Sequence, residues 1–101
     1  MGSREGRFEE RVEIHKPAYI TTSDGKALVA LLCDISRSGG RLKTNRSLDI
    51  GSEITVRMAN KVERVGVVRR CRPIPEENKF DLGLELLGNS WPDEVLKAEV
   101  A

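Results

Sequence analysis

A chain of 101 residues, 39% of them hydrophobic, is long enough to bury one core without disulfides or a structural metal, and too short for two. Seventeen basic against sixteen acidic side chains leave a formal charge of +1. That balance excludes a long-range field drawing the chain to nucleic acid or anionic lipid, so any bound anion has to be met by a local cluster. Two cysteines without metal-ligand spacing, and no long apolar run, point to reduced structural thiols in a soluble cytoplasmic protein with no membrane insertion.

In chain order, residues 1–16, "MGSREGRFEERVEIHK", alternate charges and are read as an N-terminal arm. "PAYITTS" is a β-type run, and the Asp24-Gly25 pair after it is a hairpin signal, since both residues tolerate positive φ. "KALVALLCDIS", "GRLKTN" and "SEITVRM" give the second, third and fourth strands, the last entered from a turn at Gly51. A tight Asn60-Lys61 connection leads into "VERVGVVRRCRPI", and the polar turn "PEEN" leads into "KFDLGLELLG". The alternation in this last strand places Phe80, Leu82, Leu84 and Leu86 on a core face and Asp81, Gly83 and Glu85 on the other. Six strands joined by tight turns predict an all-β fold, a six-stranded antiparallel barrel that leaves no open sheet edge. Ser90 followed by "WPDEVLKAEV" has the N-cap, early proline and early acids of a short C-terminal α-helix. Trp91, the one tryptophan, is read as packing over the barrel rather than stacking on a ligand. The division is an arm over 1–16, a barrel over 17–90 and a helix over 91–101, one domain overall.

Two polar stretches stand out from this pattern. The first, "DISRSGG", ends the second strand. If Leu31, Cys33 and Ile35 face the core, Asp34 and Ser36 stand together on the outer wall, about 7 Å apart. A carboxylate and a hydroxyl so placed can hydrogen-bond along the edge of one planar heterocycle. Gly39 and Gly40 would then permit positive φ and close approach of a ligand to the backbone. Taken alone, the stretch also reads as an ordinary strand end with an Asx or Ser turn. The second is "RFEER" in the arm, where Arg7 and Arg11 offer planar forks that match phosphate oxygens and the O6/N7 edge of guanine. Alone, it also reads as a solvated charge run balanced by Glu9, Glu10 and Glu13. Arg4, Arg37, Arg41 and Arg69 are read as solvated surface charges.

In this order the two stretches resemble the signature of the PilZ domain family, RxxxR in an N-terminal arm and [D/N]xSxxG at the end of a later strand. Here these are Arg7-Phe8-Glu9-Glu10-Arg11 and Asp34-Ile35-Ser36-Arg37-Ser38-Gly39. The resemblance implies a PilZ-like barrel of the split-barrel type whose arm clamps the bacterial second messenger cyclic di-GMP. It assigns Arg7 and Arg11 to the phosphates and guanine Hoogsteen edges, Asp34 and Ser36 to the other guanine edges, and Gly39, assisted by Gly40, to the shape of the turn. It implies a receptor that signals through an effector protein as the arm orders on the ligand, with no cofactor and no metal.

Other function classes fit less well. A single histidine, His15, and no metal-ligand cluster leave hydrolysis without its ligands, and Ser36, His15 and Asp34 have no oxyanion-hole element beside them, so no catalytic residue is assigned. A small nucleic-acid-binding barrel would combine a basic groove with stacking aromatics, of which this chain has four in all. A PilZ-like docking module that binds no nucleotide would have no need of both motifs.

Overall fold

The computed structural model describes residues 11–59, 61–92 and 95. Six strands follow one another: β1 (Val12–Thr22), β2 (Ala27–Ser36), β3 (Gly39–Thr44), β4 (Glu53–Met58), β5 (Glu63–Ile74) and β6 (Lys79–Leu86). They form a closed antiparallel barrel in the order β1-β2-β3-β6-β5-β4, with β4 pairing back onto β1. Closure satisfies the backbone donors and acceptors that an open sheet would leave at two edges. The expected strands are all present, and β6 lies between β3 and β5.

The turns follow their residue chemistry. Gly25 takes φ +91° in the β1–β2 hairpin, and its N–H donates to the Thr22 carbonyl at 3.0 Å while the Thr22 hydroxyl donates to the Asp24 carboxylate. Lys61 and Asn78 take left-handed φ values of 71° and 56° at the β4–β5 and β5–β6 connections. The second connection is a single 3-10 turn, Pro75–Glu77.

β1 begins at Val12, so residues 12–16, read from the sequence as the end of the arm, are strand. Pro17 lies inside β1, at a point where the strand pairs with β2 while its pairing with β4 starts only at Ala18. With a neighbour on one side, the missing N–H of proline is tolerated. Residues 1–10, the greater part of the expected arm, and most of the expected C-terminal helix lie outside the described residues.

The core fills the barrel with Ile20, Leu32, Ile35, Leu42, Val56, Val68 and Leu82, all essentially inaccessible. Trp91 and Val95 are buried with them in the same apolar cluster, as the large apolar area of the indole demands. The indole Nε1–H donates to the Gly39 carbonyl at 2.8 Å, so the chain leaving the barrel is bonded to the start of β3. Both cysteines are free; burial pushes the Cys33 thiol up from its ordinary range, which leaves it neutral and unreactive. Among the described residues no helix is long and apolar enough to cross a membrane.

Candidate functional site

The outer wall over β2, β3, β6 and β5 is shaped by two irregularities in strand register. In the β2–β3 ladder Leu32 faces Leu42 and Asp34 faces Arg41, which makes Cys33 an extra residue. Before this bulge the core-facing residues are Ala30 and Leu32; after it the core-facing residue is Ile35. Leu31, expected in the core, therefore lies on the outside and is half-buried. The bulge restores the phase, and Asp34 and Ser36 come to the outer wall as expected, although not through the simple alternation that predicted it. In the β5–β6 ladder Val68 faces Leu84 and Arg70 faces Gly83, so Arg69 is the extra residue there.

Asp34 is the anionic centre of this wall. Arg11, one residue before β1, donates from Nη1 to Asp34 Oδ1 at 2.8 Å. Its side chain is 61% exposed while that of Asp34 is 12% exposed, so an exposed cation covers a buried carboxylate. Arg41 Nε stands 3.3 Å from Asp34 Oδ2 and 3.6 Å from Asp81 Oδ1. That nitrogen is buried and makes no hydrogen bond of acceptable geometry. It is a donor in need of an acceptor.

The turn after Ser36 is held by three contacts. Leu86 N–H donates to the Ser38 carbonyl at 2.7 Å, Trp91 donates to Gly39, and β3 starts its pairing with β6 at Gly39 opposite Glu85. Neither Gly39 nor Gly40 takes a positive φ, contrary to the expectation from sequence. They are required by close approach. A Cβ on Gly39 would stand 2.0 Å from the Leu84 carbonyl oxygen, and one on Gly40 would stand 2.8 Å from the Asp34 carbonyl oxygen and 3.4 Å from the Ile35 and Leu32 side chains. The approach is between strands; at Gly40 the missing side chain faces the core.

Beside this turn lies a cavity of about 430 Å³, lined by Arg11, Ser36, Ser38, Gly39, Gly40, Arg41, Arg69, Arg70, Gly83, Leu84 and Glu85. Its volume is that of a small-molecule site. Of the residues singled out from the sequence, Arg11, Ser36, Gly39 and Gly40 line it and Asp34 stands behind Arg11; Arg7 lies outside the described residues. The Ser36 hydroxyl has no hydrogen-bond partner among the described residues. Arg69 is held by Glu85 at 2.6 Å, and Arg70 makes no ion pair or hydrogen bond with the described residues.

Sequence reasoning missed Arg70 and took Arg41 and Arg69 for solvated charges. Only the non-sequential order β3-β6-β5 brings them to one wall. With four guanidiniums around an opening, two of them tied to carboxylates by single contacts, the site suits a small polyanion that also presents hydrogen-bonding edges. Among the described residues no group of His, Cys, Asp or Glu is placed to hold a metal ion.

Comparisons with known proteins bear on the family and the fold. The family model described as "PilZ domain" matches residues 5–99. Among solved structures, the Bacillus subtilis inhibitor of motility (MotI/DgrA) superposes with a TM-score of 0.67 at 19% identity, over 93% of this chain and 48% of that one. This chain thus spans about half the length of that protein, and the likeness is one of fold. No curated protein matches the chain significantly.

Proposed function

The chain belongs to the PilZ domain family, a family of receptor and adaptor modules for cyclic di-GMP, and from that membership we propose that it is a cyclic di-GMP receptor acting on a partner protein. The observation that carries the reading is the meeting of the two motifs: Arg11 of RxxxR and Ser36 and Gly39 of DxSxxG line one cavity, with Asp34 under Arg11. Cyclic di-GMP brings two phosphodiester charges and two guanines. Guanidiniums answer the phosphates and the O6/N7 edges; the Asp34 carboxylate and the Ser36 hydroxyl answer the N1 and N2 donors of a guanine. Arg7 joins Arg11 in the clamp.

Binding then exchanges partners. Arg11 holds Asp34 Oδ1 at 2.8 Å, and Arg41 Nε stands 3.3 Å from Oδ2. A guanine edge takes the place of Arg11 on Oδ1, and Arg11 turns to the phosphates. The arm before β1 follows it and settles over the ligand, a change of order that an effector protein reads.

Calorimetric titration with cyclic di-GMP, with GTP as the control ligand, tests the reading. The native protein is expected to bind cyclic di-GMP selectively, and Arg11→Ala to bind it about 10- to 100-fold more weakly, the loss of one charge-assisted hydrogen bond. No heat and no thermal shift at high ligand concentration would leave a PilZ-like docking module instead. Hydrogen exchange over residues 4–16 is expected to slow when the ligand is added, and equal exchange with and without it would remove the ordering step.

A further inference from the structure

The row of residues across the outer wall runs Asp34 on β2, Arg41 on β3, Gly83 on β6 and Arg70 on β5, each directly opposite the next. Residues opposite one another in a ladder point to the same face. Gly83 thus leaves a bare strip of backbone on the floor of the cavity, between two arginines. A Cβ there would stand 3.3 Å from Arg70 Cβ and 3.6 Å from Arg70 Nε, so the Arg70 side chain leans over the strip.

The two arginines are not equivalent. Arg41 is turned toward Asp34 and Asp81, whereas Arg70 has no ion pair or hydrogen bond among the described residues. An arginine that lines a cavity without a protein partner keeps its whole planar fork for a ligand. The neighbouring acid does not compete for it, because Glu85 is engaged by Arg69.

We propose that Gly83 and Arg70 form a purine subsite outside the two sequence motifs, in which one guanine of the ligand lies on the Gly83 backbone and the Arg70 fork meets its O6/N7 edge. Guanine offers two acceptors there. Adenine offers one acceptor and one donor, so the fork discriminates between the two bases. This subsite rests on the receptor reading above and adds to it the residue that selects the base.

The test is a titration of the native protein, Arg70→Ala and Gly83→Ala with cyclic di-GMP and with cyclic di-AMP, folding being checked by thermal melting. Arg70→Ala is expected to lower affinity for cyclic di-GMP about 10- to 100-fold while changing that for cyclic di-AMP, weaker from the start, by no more than about twofold. Gly83→Ala puts a methyl group on the floor and is expected to weaken cyclic di-GMP about tenfold with the barrel intact. Equal losses for both nucleotides in Arg70→Ala would overturn base selection, and native-like cyclic di-GMP affinity in Arg70→Ala would overturn the subsite. A native protein that binds neither nucleotide would overturn the receptor reading itself, and the subsite with it.

Discussion

Replacing Gly39 by alanine is expected to lower the melting temperature by roughly 10–20 °C, a loss of about 3 kcal/mol for a domain of this size. The reason is the 2.0 Å separation between an added Cβ and the Leu84 carbonyl oxygen. Neither side of that contact can yield cheaply. β3 and β6 are paired from Gly39 to Thr44, Leu86 N–H holds the Ser38 carbonyl at 2.7 Å, and Trp91 holds the Gly39 carbonyl at 2.8 Å. The methyl group therefore breaks the start of the β3–β6 ladder, or the indole loses its acceptor and leaves a buried N–H unpaired. Either outcome also displaces the backbone that forms one side of the cavity, so ligand binding is expected to be lost along with stability. Gly40→Ala is the graded comparison. Its closest contact, 2.8 Å from the Asp34 carbonyl oxygen, is less severe, and its melting temperature is expected to fall less. Thermal melts of the two variants, followed by circular dichroism, check both statements. Native stability in Gly39→Ala would mean that β6 moves freely there, and the steric account of the motif glycine would fail.

What the sequence made legible is the part governed by local rules. The Asp24-Gly25 turn, the strict alternation of Phe80 to Leu86 and the breaks at Gly51 and "PEEN" each depend on residues that act within a few positions, and the strands follow from them. The face of β2 did not follow. Alternation counted back from Ile35 puts Leu31 in the core, but the bulge at Cys33 reverses the phase, so that Leu32 is buried and Leu31 half-exposed. Nothing in "LLCDI" distinguishes a bulged cysteine from a regular one. The start of β1 was hidden for a related reason: Pro17 reads as a first strand residue because proline is rare inside sheets, yet β1 has only one paired neighbour at that point.

The candidate site divides along the same line. Its motif half was readable because Asp34, Ser36 and Gly39 sit close together in sequence, with a distinctive composition. Its other half was not, because Arg41, Gly83 and Arg70 are brought into register by long-range pairing of β3 and β5 with β6. Sequence showed Arg41 and Arg69 as isolated charges on strands. Strand order turns them, with Arg70, into one wall of a cavity, and explains how a chain with a net charge of +1 can concentrate positive charge where an anion would bind.

Asp34→Ala should affect binding more than the removal of either motif arginine, with a loss of more than about 100-fold in cyclic di-GMP affinity. The carboxylate serves three groups. It holds Arg11 at 2.8 Å, it is the nearer anion to the buried Arg41 Nε at 3.3 Å, and under the proposed exchange its Oδ1 accepts from a guanine edge beside the Ser36 hydroxyl. Alanine removes the acceptor for guanine and leaves Arg41 with Asp81 alone at 3.6 Å. The effect on folding is smaller, roughly 1–2 kcal/mol, because Arg11 is largely exposed and water replaces its partner, while Arg41 keeps one anion. Asp34→Asn separates the roles. Its amide oxygen still accepts from guanine, but the ion pair with Arg11 is gone, so Arg11 is released toward the phosphates at no electrostatic cost. Affinity within about tenfold of native is therefore expected for asparagine. If instead asparagine and alanine weaken binding equally, the full negative charge is what the ligand meets, and the hydrogen-bond geometry assigned to Asp34 is wrong. If both bind as the native protein does, the guanine edge is not read from this wall, and the arginines must hold the ligand without Asp34.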